Sequence, residues 1–143
     1  MPVQNNINLM GGFQRPIVDD DTFEVKVKDI RSRHIDADKF TGMEKDVLDF
    51  DFEVLSGTNK GTVLGKGFIT PKITPPSGGK SASNLYTIIC AIFGTPDEEE
   101  LASYVSGGSE FLNSLIDKEL RVVTKDSRII SYLAKKKWTY LTG

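Results

Sequence analysis

The sequence predicts a mainly β fold, a small barrel of five strands with helices inserted between the third and fourth. Three observations predict it. Two stretches in the first 55 residues alternate between apolar and polar residues, a glycine-containing turn joins two strand-like runs, and a block of helical periodicity is followed by further strand patterns. No repeated strand–helix–strand alternation points to a doubly wound nucleotide-binding sheet. An α+β sandwich and an open sheet with helices on one side share the same order of elements.

Residues 1–21 hold Gln, Asn, Gly and Pro and then Asp19-Asp20-Asp21, too little apolar matter for a packed strand, and read as a flexible N-terminal arm before a single domain over 22–143. From Thr22 the period is two: Phe23, Val25 and Val27 alternate with Glu24, Lys26 and Lys28, a half-buried strand over about 22–30. Arg31 to Asp46 is polar with a Thr41-Gly42 break and reads as a loop. Alternation resumes over about 47–55, with Leu48, Phe50, Phe52 and Val54 on one face and Asp49, Asp51 and Glu53 on the other. The acids are expected to pair across the sheet with Lys26 and Lys28.

Ser56 to Gly61 supplies a hairpin turn into a third strand at about 62–70. Gly65 and Gly67 inside that strand signal a bulge, tight coiling or close approach of a ligand or another backbone. Pro71, Pro75, Pro76, Gly78 and Gly79 enforce a long exposed loop. A helix over about 84–93 is capped by Ser83 or Asn84, carries Leu85, Ile88, Ile89 and Ile92 at helical spacing, and ends at Gly94. Thr95-Pro96-Asp97-Glu98-Glu99 starts a second helix running to about Val105, with Pro at its first position, and a third runs from Ser109 to about Ile116. The fourth strand is read over 119–125 and the fifth over 136–141. This order, with its short connections, is the OB-fold arrangement.

At 143 residues, one domain with an adequate core is expected without metals or disulfides. With 38% apolar and 27% charged residues the composition is that of a water-soluble globular chain, with no apolar run long enough to span a bilayer. A single cysteine, Cys90, excludes an internal disulfide and fits a reducing, cytoplasmic compartment. It falls among Ile88, Ile89 and Ile92 and reads as core.

The net charge is −2, but it is unevenly spread: −5 over residues 1–53, +4 over 54–96, −6 over 97–117 and +5 over 118–143. One basic and one acidic face on a small domain keep a polyanion partner open.

Chemistry-bearing motifs are few. Gly79-Lys80-Ser81 matches the end of a phosphate-cradling loop, but Thr74 stands where that motif needs glycine, and Pro75 and Pro76 lack N–H donors. His34, Asp36 and Asp38 cluster in the polar stretch, and Asp49, Asp51 and Glu53 line a strand, yet cross-strand pairing explains the acids better than a metal does. No nucleophile stands near His34 in a recognisable motif. The expectation is therefore no enzyme, no catalytic residue, no metal and no cofactor. Lys135-Lys136-Lys137-Trp138-Thr139-Tyr140 interleaves cations with aromatic rings, the pairing that binds single-stranded nucleic acid. Solvated lysines beside core-facing rings explain the same run equally well.

Thr22 to Ile30, the hairpin segment Phe50 to Gly61, the helix ending Ala91-Ile92-Phe93-Gly94 and the segment Leu115 to Val122 together resemble a group of small phage proteins. These are OB-fold single-stranded DNA-binding or replication and recombination accessory proteins, and the resemblance covers about residues 22–141. Asp117 departs from it where glycine is common. The resemblance implies non-catalytic binding of single-stranded DNA in phage replication or recombination. The site residues would be Lys60, Lys66, Lys72 and Lys80 on phosphates, Lys135, Lys136 and Lys137 adding charge, and Phe68, Trp138 or Tyr140 as stacking surfaces. Expected partners are single-stranded DNA, replication or recombination proteins and a second copy of the chain, with no membrane and a location in the host cytoplasm. The other reading is a virion or adaptor protein that uses a similar barrel for protein–protein contact.

Overall fold

Apolar residues at every second position of three segments can be buried together only if the strands pair edge to edge with those side chains on a common face. The computed structural model, which describes residues 18–36 and 42–135, shows this arrangement. Its elements are β1 (Thr22–Ile35), β2 (Lys45–Val54), β3 (Val63–Ile69), α1 (Asn84–Phe93), α2 (Glu98–Ser114), β4 (Glu119–Lys125) and β5 (Arg128–Leu133). All neighbours are antiparallel, in the order β3-β2-β1-β4-β5. The inner face buries Val25 and Val27 of β1, Phe50, Phe52 and Val54 of β2, Leu64 and Ile69 of β3, and Leu120 and Val122 of β4. Leu85, Ile88, Ile89 and Ala91 of α1 complete that core. Among the described residues no helix is long and apolar enough to cross a membrane.

The helices do lie between the third and fourth strands, but the sheet is not closed into a barrel. The edge strands β3 and β5 bring Cα atoms within 8 Å of one another, yet no backbone ladder joins them. α1 packs on β4 and β5 and covers the apolar face that closure would seal.

Three element boundaries differ from expectation for identifiable reasons. Both ends of the stretch 31–46 are strand rather than loop, because β1 runs to Ile35 and β2 starts at Lys45. This end of the hairpin buries little apolar surface and is joined instead by its ladder and by arginine–aspartate pairs. The fifth described strand is Arg128–Leu133, reached through a two-residue turn at Asp126 and Ser127 with φ of 52° and 62°. Positive φ at both central residues suits the right-handed twist of a hairpin but usually selects Asn-Gly, so Asp-Ser gave no turn signal; the strand expected over 136–141 lies outside the described residues. The second helix is capped by Asp97 rather than Thr95. Asp97 Oδ1 accepts from the Glu100 N–H at 2.7 Å while Glu100 Oε1 accepts from the Asp97 N–H at 3.2 Å, a reciprocal box that leaves Pro96 outside the helix.

Other boundaries agree with expectation. Ser83 caps α1 by accepting from the Tyr86 N–H, and its hydroxyl also ties the preceding loop through the Thr74 N–H and the Lys72 carbonyl. Gly108, with φ 54° and ψ −130°, breaks α2 between the two helices the sequence separates. Cys90 is half-buried on α1 rather than fully in the core.

Residues 18–21 are anchored on the β4–β5 hairpin. Thr124 Oγ1 donates to the Asp19 carbonyl at 2.7 Å, the Asp126 N–H reaches Asp20 Oδ1 at 2.9 Å, and the Val18 N–H reaches Ser127 Oγ at 3.1 Å. Residues 1–17 of the expected arm lie outside the described residues.

The Tyr132 hydroxyl is buried beside Phe52 without a hydrogen-bond partner among the described residues, and burial pushes its pKa up. An unsatisfied buried hydroxyl carries a desolvation cost. Tyr132→Phe is therefore expected to raise stability by about 1 kcal/mol, read as a higher urea midpoint at unchanged slope; a lower midpoint would show that the hydroxyl is satisfied.

Candidate functional site

One extra residue in β1 decides what the outer face of the sheet presents. The β1–β2 register runs Val27↔Phe52 and then Asp29↔Asp51, so Lys28 is bulged out. Without the bulge Lys28 would face Asp51. With it, Asp29, Arg31 and Arg33 occupy the face that carries Asp49 and Asp51. Each arginine reaches diagonally across the strands, as long side chains can. Arg31 donates to both Asp51 oxygens at 2.5 and 3.2 Å and to Asp29 at 3.1 Å. Arg33 donates from Nε and Nη2 to Asp49 at 2.5 and 3.1 Å. The expected pairing of Asp49 and Asp51 with Lys26 and Lys28 is thereby corrected; Lys26 stands opposite Glu53 in the register, as expected, but makes its ion pair with Asp117 at 3.7 Å.

A second bulge shapes the facing wall. Phe50 pairs with Lys66 and Leu48 with Ile69, so Gly67 and Phe68 together oppose Asp49. Glycine in this strand thus marks a bulge, as its sequence indicates. Phe68 stands in the left-handed region with φ 58° and is 64% exposed. That conformation is a strained outlier for a bulky side chain. Its N–H donates to Asp49 Oδ1 at 3.2 Å, and the Arg33 guanidinium lies over its ring, 4.7 Å from the centroid. The Arg33 guanidinium holds the Asp49 carboxyl below the ordinary carboxylate range, and the Phe68 N–H acts in the same direction.

Between these walls runs a groove of about 530 Å³, lined by Arg31, Arg33, Asp49, Asp51, Lys66 and Phe68, with Gly65 and Gly67 leaving backbone uncovered. Arg31 and Arg33 are matched by carboxylates, whereas Lys66 has no ion pair among the described residues. The groove can therefore offer a planar aromatic surface, guanidinium planes and one uncompensated cation.

Of the sequence-expected residues that are described, Lys66 and Phe68 line this groove. Lys60 is exposed in the β2–β3 turn, and Lys72 lines a separate apolar groove with Ile73, Leu85, Tyr104 and Leu112. Lys80 closes a tight turn in which its N–H donates to the Ser77 carbonyl at 2.9 Å across Gly78 and Gly79. That N–H is engaged within the loop, away from any phosphate-cradling geometry. Lys135 is exposed just after β5, and Lys136, Lys137, Trp138 and Tyr140 lie outside the described residues. Arg31 and Arg33 escaped the sequence reading, although Arg-x-Arg facing Asp-x-Asp on the next strand carries the signal.

At the far end of the β1–β2 hairpin, His34 Nδ1 meets Asp46 at 2.7 Å, and its Nε2 meets Asp36 at 3.2 Å and Glu44 at 3.6 Å. A ring nitrogen of His34 and oxygens of Asp36 and Glu44 lie within 4.8 Å of one another, all exposed. Ion pairing of an imidazolium accounts for this cluster; Asp38 lies outside the described residues.

The carboxylates, Asp46 first, raise the His34 pKa above its ordinary 6.5. A raised folded-state pKa stabilises the fold below the unfolded value, and this contribution fades as pH rises through the folded value. An NMR titration of the His34 ring is expected to give a midpoint above 6.5 that Asp46→Asn moves down; an equal midpoint in the two proteins would show the contact absent in solution. Compared with known proteins, the chain gives no significant match to a family model, a curated protein or a solved structure.

Proposed function

We propose that this chain binds single-stranded DNA, without catalysis, on the outer face of β1, β2 and β3. One observation carries the reading: a strained, solvent-exposed phenylalanine is held at the rim of a groove that also contains Arg31, Arg33 and Lys66. Exposing a large ring at positive φ costs stability twice, in strain and in unburied apolar surface. A planar ligand that stacks on the ring offsets both, and every nucleic-acid base has a π-face. Phosphates would be met by Lys66, with Lys60, Lys72, Lys80 and Lys135 as outlying charges; Lys136 and Lys137 as added charge and Trp138 or Tyr140 as stacking surfaces are carried from the sequence, outside the described residues.

The strand order supports the finer OB-fold reading. Opening a five-stranded Greek-key barrel between its third and fifth strands yields β3-β2-β1-β4-β5, and the face around strands 2 and 3 is where such barrels take oligonucleotides. The segments resembling small phage proteins favour a role in replication or recombination. The second reading, an adaptor or virion protein, draws on the edge of β5, which has no further ladder among the described residues and where Ile130 is 59% and Leu133 37% exposed. Edges of this kind add strands from partners, a second copy included.

The two readings separate in a fluorescence-anisotropy titration of labelled single-stranded and duplex DNA at two salt concentrations. Single strands should bind better and lose affinity with salt, and Lys66→Ala should flatten the log–log slope by about 0.7. A salt-insensitive oligomer indifferent to DNA would favour the adaptor. Phe68→Ala should weaken single-strand binding by about 1–3 kcal/mol. Phe68→Gly should weaken it as much while stability holds or rises by up to about 1 kcal/mol, since glycine adopts positive φ without strain. Loss of stability in the glycine variant, with DNA affinity intact, would assign Phe68 a purely structural role.

A further inference from the structure

We infer that Asp49 is the positioning residue of this face: its carboxylate fixes the Phe68 backbone and lays the Arg33 guanidinium against the ring, so that the ring is presented for stacking before any nucleic acid arrives. The inference rests on the single-strand reading above and adds how that site is preorganised. Three contacts converge on this one carboxylate. Oδ1 accepts from the Phe68 N–H at 3.2 Å and from Arg33 Nη2 at 3.1 Å, and Oδ2 accepts from Arg33 Nε at 2.5 Å. Gly67 makes room for it, because a Cβ there would stand 3.0 Å from Asp49 Oδ1. The Asp49 side chain is 16% exposed while Phe68 is 64% exposed, so a sheltered carboxylate supports an unsheltered ring. Two-point attachment of guanidinium to carboxylate fixes orientation as well as distance. A site whose groups already stand in place loses less free energy to ordering on binding.

Asp51 supplies the comparison. It faces the same groove and pairs with Arg31 through two hydrogen bonds of the same kind, but its described hydrogen bonds include none to β3 and its arginine does not lie over the ring. Neutralising either aspartate removes one negative charge near the path of a phosphate chain, which by charge alone tightens DNA binding. Positioning predicts opposite signs for the two.

The test titrates Asp49→Asn and Asp51→Asn with a labelled oligothymidylate and, without DNA, follows the Arg33 Hε resonance, which the Phe68 ring current displaces. Asp51→Asn is expected to bind as well as the parent or a few-fold tighter and to keep the displaced resonance. Asp49→Asn is expected to bind at least about fivefold weaker, the lower end of one lost stack, and to lose the displacement. In a Phe68→Ala background Asp49→Asn should cost no further affinity. Tighter binding by both variants, or a resonance unmoved in Asp49→Asn, overturns the inference. If the parent does not bind oligothymidylate, the single-strand reading fails, and the resonance still decides whether Asp49 places the ring. Should Asp49→Asn fail to fold by circular dichroism, Arg33→Lys replaces it: the charge stays, the fork is lost, and the same weakening is expected, with unchanged affinity overturning the inference.

Discussion

The structure turns on β1, which pairs with two strands and carries one extra residue just beyond the overlap of the two pairings. Thr22 to Lys26 ladder with β4, and Val25 to Ile35 ladder with β2. Where the β4 ladder ends, the Val27 N–H donates to the Lys118 carbonyl and its carbonyl accepts from the Asp117 N–H, which ties the end of the helical insertion to the middle of the sheet. The bulge at Lys28 follows directly. Before it, odd-numbered residues face the core as Val25 and Val27; after it, odd-numbered residues face outward as Asp29, Arg31 and Arg33. Because side chains alternate with a period of two, one inserted residue exchanges the faces of everything beyond it.

The two helices serve this sheet unequally. α1 buries four side chains, each contributing about 1.5–3 kcal/mol for the larger ones. α2 has no fully buried residue and is attached chiefly through Tyr104 and Phe111, stacked 4.5 Å apart and both near Phe93. With its acidic first turn satisfied by its own N-terminus and a glycine break at Gly108, α2 belongs to the part of the fold that opens most easily. The groove on the opposite face depends on β1, β2 and β3 alone, so it stands on the best-packed part of the molecule.

Charge in that groove is arranged for orientation more than for attraction. Carboxylates already satisfy both arginines, so a phosphate gains from them only by competing with Asp49 and Asp51, and Lys66 is the cation free of that competition among the described residues. What distinguishes the face is the Phe68 ring, held in a conformation that neither burial nor regular pairing explains. This is why the proposed function rests on stacking, and why it is compatible with a chain whose net charge is −2.

Local pattern alone determined much of the fold. Alternation marked the apolar faces of β1 and β2, Ser83 and Gly94 bounded α1, separate helices ending near Val105 and starting at Ser109 bracketed the break in α2, and Gly65 and Gly67 pointed to a bulge in β3. Each of those signals acts within a few residues, where a side chain decides its own backbone's conformation. Phe68 and Lys66 entered as candidates through the family resemblance rather than a local backbone signal, and the structure sets both along one groove. The extension of β1 and β2 through a polar stretch, the Asp-Ser turn and the open edge between β3 and β5 were decided only in three dimensions, because they depend on partners far apart in sequence. The same holds for the site's central contacts: Asp49 meets Arg33 across 16 residues and Phe68 across 19, and no local pattern says that a one-residue bulge at Lys28 will put Arg33 there.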